Sequence, residues 1–304
     1  MPALADSSRV RERHHAPPLR FAGDATMPYE VPSMRQRASY LLTNPWRNFL
    51  LPVRVLQRQM TRSASPLIAE AQARPGGWRS MEILYRNDEP VDRSDRQALR
   101  DDPVSMASRN RRRIVTGKLA SLMTAHGARS PISVLGIGAG PGRHIQTALA
   151  DSGTDPARVN AYLIDRDDDA FDYGRELAAG LGISQSIHFL KGDACRIREV
   201  LPDVAAQIVK VVGLAEYLTD PQLVELFRAL RDVMVPGGSL ITHGMVDPYG
   251  TGRFLRRVWN VKHRPRSAKY MTLLLESVGL TVVDCVVEPA GVYPIITALK
   301  LKFD

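Results

Sequence analysis

From Ser130 onward the apolar residues come in short, β-branched runs: ISVLGI, VNAYLI, SIHFL, QIVKVVGL, SLITHGMV, TVVDCVV and VYPIITALKLKF. Helical patterns separate the first five runs, which is the rhythm of a parallel sheet covered by helices. The sixth and seventh are joined only by EPAG, a connection too short for a parallel crossover, so they should pair antiparallel. Upstream the texture differs. From Met34 to about His126, apolar residues recur at three- and four-residue intervals, as in SYLLTNPWRNFLLPVRVLQRQM and SPLIAEAQA. Pro45, Pro52, Pro66, Pro75 and Pro103 should cut this zone into short helices, and it holds no strand-like run. The expected architecture is a doubly wound, Rossmann-like α/β sheet of seven strands, the last antiparallel, with an N-terminal helical cap. Residues 1–33 read as a flexible basic leader, 34–130 as a cap or lid and oligomerisation region, and 131–304 as the catalytic domain.

Composition adds limits. With 44% hydrophobic and 24% charged residues in 304, the chain has the make-up of a globular protein. No run approaches the roughly 18 apolar residues of a membrane span, so no membrane partner is expected. The first fifteen residues lack the apolar stretch of a secretory signal, and a reducing cytoplasm is the expected compartment. The two cysteines, Cys195 and Cys285, stand in no metal-ligand spacing, and no metal is expected. Charge is uneven: residues 1–131 hold 22 Lys and Arg against 12 Asp and Glu, while the remainder is nearly balanced at 19 against 20. Arg109, Arg111, Arg112 and Arg113 are the densest basic cluster. They read either as a solvated helical face paired with the acids from Asp88 to Asp102, or as a nucleic-acid footprint. Without interleaved aromatic residues for base stacking, the solvated face is the expectation and nucleic acid is not the expected partner.

The candidate chemistry lies at the carboxyl ends of the strands, where open α/β sheets bind ligands. The first strand runs into Gly136-Ile137-Gly138-Ala139-Gly140-Pro141-Gly142 and then a helix, a turn that can present backbone amides to a ligand. Asp165 ends the second strand, where a carboxylate can accept hydrogen bonds from both ribose hydroxyls. Arg166 beside it is a further candidate contact, or half of an ion pair. S-adenosylmethionine and NAD could both use such a site. A GxGxxG register started at Gly136 or Gly138 puts Pro141 or Arg143 where the third glycine belongs, which argues against the dinucleotide.

These residues resemble the class I S-adenosylmethionine-dependent methyltransferases over roughly Ile132 to Phe303. VLGIGAGPG is similar to that family's glycine-rich first motif, with Val134 and Leu135 in the region of its usual acidic residue. LIDRD is similar to the second motif and KGDA to the third. VVGLAEYL resembles the fourth strand and its loop, and MVPGGSLITH the turn into the fifth. The resemblance implies S-adenosylmethionine as cofactor, with S-adenosylhomocysteine as product. It implies donor contacts from Gly136, Gly138, Gly140, Asp165 and Arg166, adenine contacts from Asp193 and Ala194, and a loop at Gly213 and Leu214 facing the donor. A looser similarity joins Val211 to Lys300 to a group of bacterial methyltransferases sharing a GL-x-E loop, with Arg266, Ser267, Met271, Gly291 and Thr297 at comparable places.

The fourth-strand loop reads Gly213-Leu214-Ala215-Glu216-Tyr217, not the Asn/Asp-Pro-Pro-aromatic loop of nucleic-acid amino-methyltransferases. A small-molecule acceptor is therefore expected, methylated at O, N or C by in-line transfer, as in secondary-metabolite biosynthesis. Near the methyl group the catalytic candidates are Glu216 and Tyr217 on the fourth-strand loop, His243 at the end of the fifth strand, and Tyr85 from the helical zone. His243 is either a general base or a satisfied structural residue; Glu216 either binds donor or acceptor or caps a helix. Arg109 and Arg113 either reach the donor carboxylate or lie on the surface. Two alternatives are olefin methylation coupled to cyclisation, steadied by aromatic faces such as Trp46, Trp78, Tyr85 and Trp259, and a non-catalytic subunit or RNA methyltransferase component binding through the Arg-rich region. A homo-oligomer assembled through the N-terminal helices is the further expectation.

Overall fold

The computed structural model describes residues 28–128 and 130–301. All but the last six residues of the predicted leader lie outside them. Seven strands form one sheet: β1 (Ile132–Ile137), β2 (Val159–Asp165), β3 (Ile187–Lys191), β4 (Ala206–Val211), β5 (Met234–His243), β6 (Thr281–Val287) and β7 (Pro294–Leu299). Their order is β3-β2-β1-β4-β5-β7-β6, and β7 runs antiparallel to both neighbours. The sequence-predicted sheet is this sheet. Among the described residues twelve α-helices accompany it: α1 (Met34–Pro45), α2 (Val53–Met60), α3 (Pro66–Ala73), α4 (Trp78–Arg86), α5 (Arg93–Arg96), α6 (Pro103–Gly127), α7 (Arg143–Asp151), α8 (Phe171–Gly180), α9 (Ile197–Val200), α10 (Asp220–Val233), α11 (Gly252–Trp259) and α12 (Ala268–Glu276).

Consecutive strand residues send their side chains to opposite faces, which builds two cores from one sheet. Val134, Leu163, Ile208, Ile241 and Ile295 pack with Leu119 and Met123 of α6 and Ile145 and Leu149 of α7. Their neighbours Leu135, Ile164, Val209, Leu240 and Ile296 pack with Phe227 and Leu230 of α10 and Leu275 of α12. Strands buried on both faces must be apolar throughout, which is why the runs were continuous rather than alternating. Helix α6 lies along α7 and reaches β1, β4, β5 and β7, so the longest helix of the N-terminal zone is part of the sheet's covering layer.

The prolines act as predicted with two exceptions, the first being that the helix Pro103 opens is not short but runs for 25 residues. Pro66 and Pro103 occupy first helical turns, where the missing N–H costs nothing, and Pro52 caps α2. Pro45 does not end its helix: the chain continues as a π-helical turn, Trp46–Leu50, in which Leu51 N–H reaches Trp46 O at 2.9 Å. The wider turn carries the helix on past a residue that cannot donate to the α-helical ladder.

Candidate active site

The strand order reverses between β1 and β4, and there the loop after β1 opens. Gly138, Gly140 and Gly142 all take positive φ, at 56°, 52° and 75°, which only glycine adopts without strain. A Cβ on Gly138 would press on Leu214, and one on Gly140 would meet Trp78, so both glycines keep the cavity wall thin. Gly136 does something else. A Cβ there would strike Ile145 and Leu163, so it lets α7 pack on the sheet. Asp165 accepts the Gly140 N–H at 2.9 Å and the Asp167 N–H at 3.1 Å, and this fixes the carboxylate at the mouth of the loop.

A cavity of about 590 Å³ lies here, lined by Gly138 to Pro141, Asp165, Asp167, Lys210 and Val212 to Leu214. Its roof comes from the α3–α4 turn, where Asp169 accepts from Arg74 Nη1 at 2.9 Å, Trp78 Nε1 at 3.3 Å and Arg79 Nη2 at 3.2 Å. One end is strongly cationic. Lys210 on β4 and His144 on α7 are buried beside Arg111, and all three line the cavity. Burial, reinforced by Arg111, pulls the Lys210 pKa down to about 8 against the attraction of Asp165 and Glu216. Burial and the cations Lys210, Arg111, Arg112 and Arg143 hold His144 well below the ordinary histidine range, so it is neutral. A buried ammonium and a glycine cradle facing a carboxylate fit S-adenosylmethionine: Asp165 suits the ribose hydroxyls, and Lys210 with Arg111 suits the α-carboxylate.

Asp193 and Ala194 lie outside the lining of this cavity. Asp193 pairs with Arg166 at 2.5 Å and accepts the Cys195 N–H at 3.0 Å. Gly213 and Leu214 do line the cavity, as does Tyr85, whose ring meets His144 edge-on at 5.7 Å and lies 5.2 Å from the Arg112 guanidinium.

A second cavity, about 570 Å³, shares Gly76, Met81, Arg111 and Tyr217 with the first. Its walls are largely apolar, including Leu56, Leu67, Ile68, Leu84, Phe254 and Trp259, with Glu216, His263, Ser108 and Tyr293 among its polar groups. Glu216 faces Arg111 Nη1 at 3.4 Å and His243 Nε2 at 3.3 Å. Burial opposes its charge, but His243 and Arg111 outweigh it and hold the carboxyl well below the usual carboxylate range. His243 lines neither cavity. Its Nδ1 stands 2.8 Å from Gly244 O, and its Nε2 receives the Gly213 N–H at 3.1 Å with Arg111 Nη1 at 3.3 Å. His243 Nε2 thus sits among the Gly213 N–H, Arg111 Nη1 and Glu216 Oε2, inside the loop and away from both cavities. Arg266 clamps the same loop from below, donating to Ala215 O at 2.8 Å, Leu218 O at 2.6 Å and Asp220 Oδ1 at 2.8 Å.

The expectation of a solvated arginine face is corrected. Arg109, Arg111 and Arg112 are buried, and the carboxylates that Arg109 and Arg111 meet are Glu30 and Glu216 rather than the Asp88 to Asp102 acids. Arg109 binds both carboxylate oxygens of Glu30 and Leu99 O, and Arg111 lies 4.3 Å over the Tyr293 ring while serving Glu216 and His243. Packing α6 on the sheet turns this cluster inward, where carboxylates distant in sequence face Arg109 and Arg111. Arg109 and Arg113 do not line the donor cavity; Arg111 and Lys210, which the sequence reading passed over, do. Neither carried a local signal, since Lys210 sits in a strand otherwise read as core. The Tyr217–His263 contact, Oη to Nε2 at 3.2 Å, was equally invisible across 46 residues.

Comparison with known proteins follows the same lines. Residues 134–238 match a family model described as a methyltransferase domain. Among solved structures, a Bordetella parapertussis protein described as a possible exported protein is 18% identical, with TM-score 0.64, 88% of this chain and 96% of that one covered. Magnesium protoporphyrin IX methyltransferase from Synechocystis, with S-adenosylhomocysteine bound, is 13% identical with TM-score 0.54, covering 73% and 94%. An O-methyltransferase family protein from Burkholderia thailandensis is 15% identical with TM-score 0.54, covering 79% and 72%. No curated protein matches. The match to a methyltransferase domain covers about a third of the chain, and the fold is the one these methyltransferases share.

Proposed function

We propose that the enzyme methylates a small, largely apolar molecule held in the second cavity. The observation that carries this reading is the shared wall: Gly76, Met81, Arg111 and Tyr217 line both cavities, so an acceptor in one adjoins a donor in the other. A volume of about 570 Å³ lies in the range for a drug-sized ligand, roughly 300–1,000 Å³. Bound in the first cavity, S-adenosylmethionine supplies an already activated methyl group, so the chain's work is alignment, water exclusion and proton removal.

Within this reading Arg111 and Lys210 hold the donor carboxylate, and Asp165 the ribose. His243 and Glu216 set the loop that carries Tyr217, because His243 Nε2 meets the Gly213 N–H, Arg111 and Glu216 together. Tyr217 and His263 stand at the junction and suit removal of an acceptor proton. Burial lowers the His263 pKa, which keeps the ring neutral and able to accept. The acceptor atom, whether O or N, follows from this pair; an acceptor without an acidic proton would not need it.

Calorimetric titration with S-adenosylhomocysteine, with NAD in parallel, tests the donor site. Binding of S-adenosylhomocysteine alone, lost in Asp165→Ala, is the expected result; preference for NAD would overturn the assignment. Transfer of labelled methyl from S-adenosylmethionine to members of an apolar phenol and amine panel then tests the acceptor reading. Tyr217→Phe and His263→Gln should lower kcat while leaving donor affinity unchanged.

A further inference from the structure

Helix α1 and the π-helical turn after it are amphipathic the wrong way round. Tyr40, Asn44 and Asn48, four residues apart, form the buried face, and both asparagines donate to backbone carbonyls, Asn44 to Tyr249 O and Asn48 to Gly250 O at 2.6 Å. The outward face carries Met34, Leu41, Leu42, Trp46, Phe49 and Leu50, between 61% and 82% exposed. Their three- and four-residue spacing makes one continuous apolar stripe over 17 residues, about 25 Å long. Scattered exposed leucines need no explanation, but a contiguous stripe with two aromatic residues marks an interaction surface.

The charge around the stripe says what it meets. Between Glu30 and Glu70 the chain has six arginines and no Asp or Glu. Arg35, Arg54, Arg58 and Arg62 are exposed, and α11 adds exposed Arg253 and Arg256, with Arg253 stacked 4.3 Å over the Phe49 ring. Two copies of this chain meeting through the stripe would bring like-charged rims together, because a two-fold contact sets the same patch against itself. An anionic lipid surface complements both features at once, taking the apolar stripe into the acyl boundary and the arginines into the headgroups.

We infer that the enzyme docks on anionic membranes through α1 and the Trp46–Leu50 turn, with the helix lying in the plane of the interface. This is not a span: among the described residues no helix is long and apolar enough to cross a bilayer. The sequence reading set membranes aside because nothing spans one; a helix lying on the surface is a separate geometry. The docked segment also forms part of the wall of the second cavity, to which it contributes Tyr40, Asn44 and Arg47. Docking therefore holds that cavity about one helix diameter, roughly 10 Å, from the bilayer.

Flotation of the full chain with phosphatidylcholine vesicles, with and without phosphatidylglycerol, tests the inference. Binding should require phosphatidylglycerol and weaken as salt is raised. It should fall by more than about tenfold in Leu42→Glu/Phe49→Glu and by about fivefold for each arginine removed in Arg54→Gln/Arg58→Gln. Both variants should still bind S-adenosylhomocysteine, which reports that they fold; if the apolar variant does not, the arginine variant carries the test alone. The inference is overturned if the wild type ignores anionic vesicles. It is equally overturned if the wild type sediments as a dimer that Leu42→Glu/Phe49→Glu splits while vesicle binding is unaffected.

Discussion

The sheet region and the α1–α6 region distribute polarity in opposite senses. In the sheet, Val134 and Leu135, Leu163 and Ile164, Leu240 and Ile241 vanish into two apolar cores, and charge stays outside or at the strand ends. In the helical region Arg109, Arg111, Arg112, Asn44 and Asn48 are buried, while Leu41, Trp46 and Phe49 face outward. The difference has a physical origin. A sheet core is stabilised by its own neighbours, whereas helices laid over a binding site bury what the site requires and expose what meets a further surface.

The sharpest way to break this comparison is to make the helical region obey the sheet's rule. Arg111→Met should not stabilise the protein, although it replaces a buried charge with an apolar side chain of similar reach. Its guanidinium lies beside Glu216 and His243, and Glu216 would be left buried without the arginine that faces it. A loss of about 3–5 kcal/mol is expected, read from denaturant midpoints. No loss would mean that the buried cluster is ornamental. Leu163→Ala, in the sheet, should cost about 2–5 kcal/mol by the ordinary route of a cavity. The two losses should differ in pH dependence: the Arg111→Met loss should shrink as Glu216 is protonated, and the Leu163→Ala loss should not.

How far each region could be read from sequence follows the same division. Every strand was legible because a strand's burial is written in its own residues, and Asp165 was legible because a carboxylate at a strand end beside a glycine turn is a local pattern. The Arg109 to Arg113 cluster was misread because its partners Glu30, Glu216 and His243 are 79 to 132 residues away and Tyr293 comes from farther still, and nothing near it distinguishes an inward helix face from an outward one. Pro45 was misread for a different reason, since a π-helical turn has no composition of its own. Lys210 was hidden by the apolar residues around it in β4.

Lys210 is also where the comparison can be sharpened, because it is the one lysine that the sheet buries at the donor cavity. With its pKa near 8 in the free protein, it is cationic below that value and neutral above it. A bound carboxylate favours the cation and raises that pKa, so affinity for S-adenosylhomocysteine should be constant below about 8 and fall as pH rises past it. Lys210→Met should bind roughly tenfold more weakly near neutral pH, the loss expected for one charge-assisted hydrogen bond. Its affinity should also lose the part of the pH dependence that the ligand's own amino group does not supply. Titrations of both proteins across this range decide it; parallel curves would remove Lys210 from the donor site.

The smallest effect is the most discriminating for the helical region. If the outward stripe were part of the folding core, Leu41→Gln and Phe49→Ser would each cost a few kcal/mol, as buried truncations do. Both side chains are more than 60% exposed. Phe49 touches the Arg253 guanidinium, and the rest of its ring faces away from the protein. Removing them should therefore change stability by no more than about 0.5 kcal/mol, and removing exposed apolar surface should raise solubility. A loss above about 2 kcal/mol for either variant would mean that the stripe is covered within the protein itself. The sheet and the helices would then follow the same rule, with no apolar face left over for a membrane.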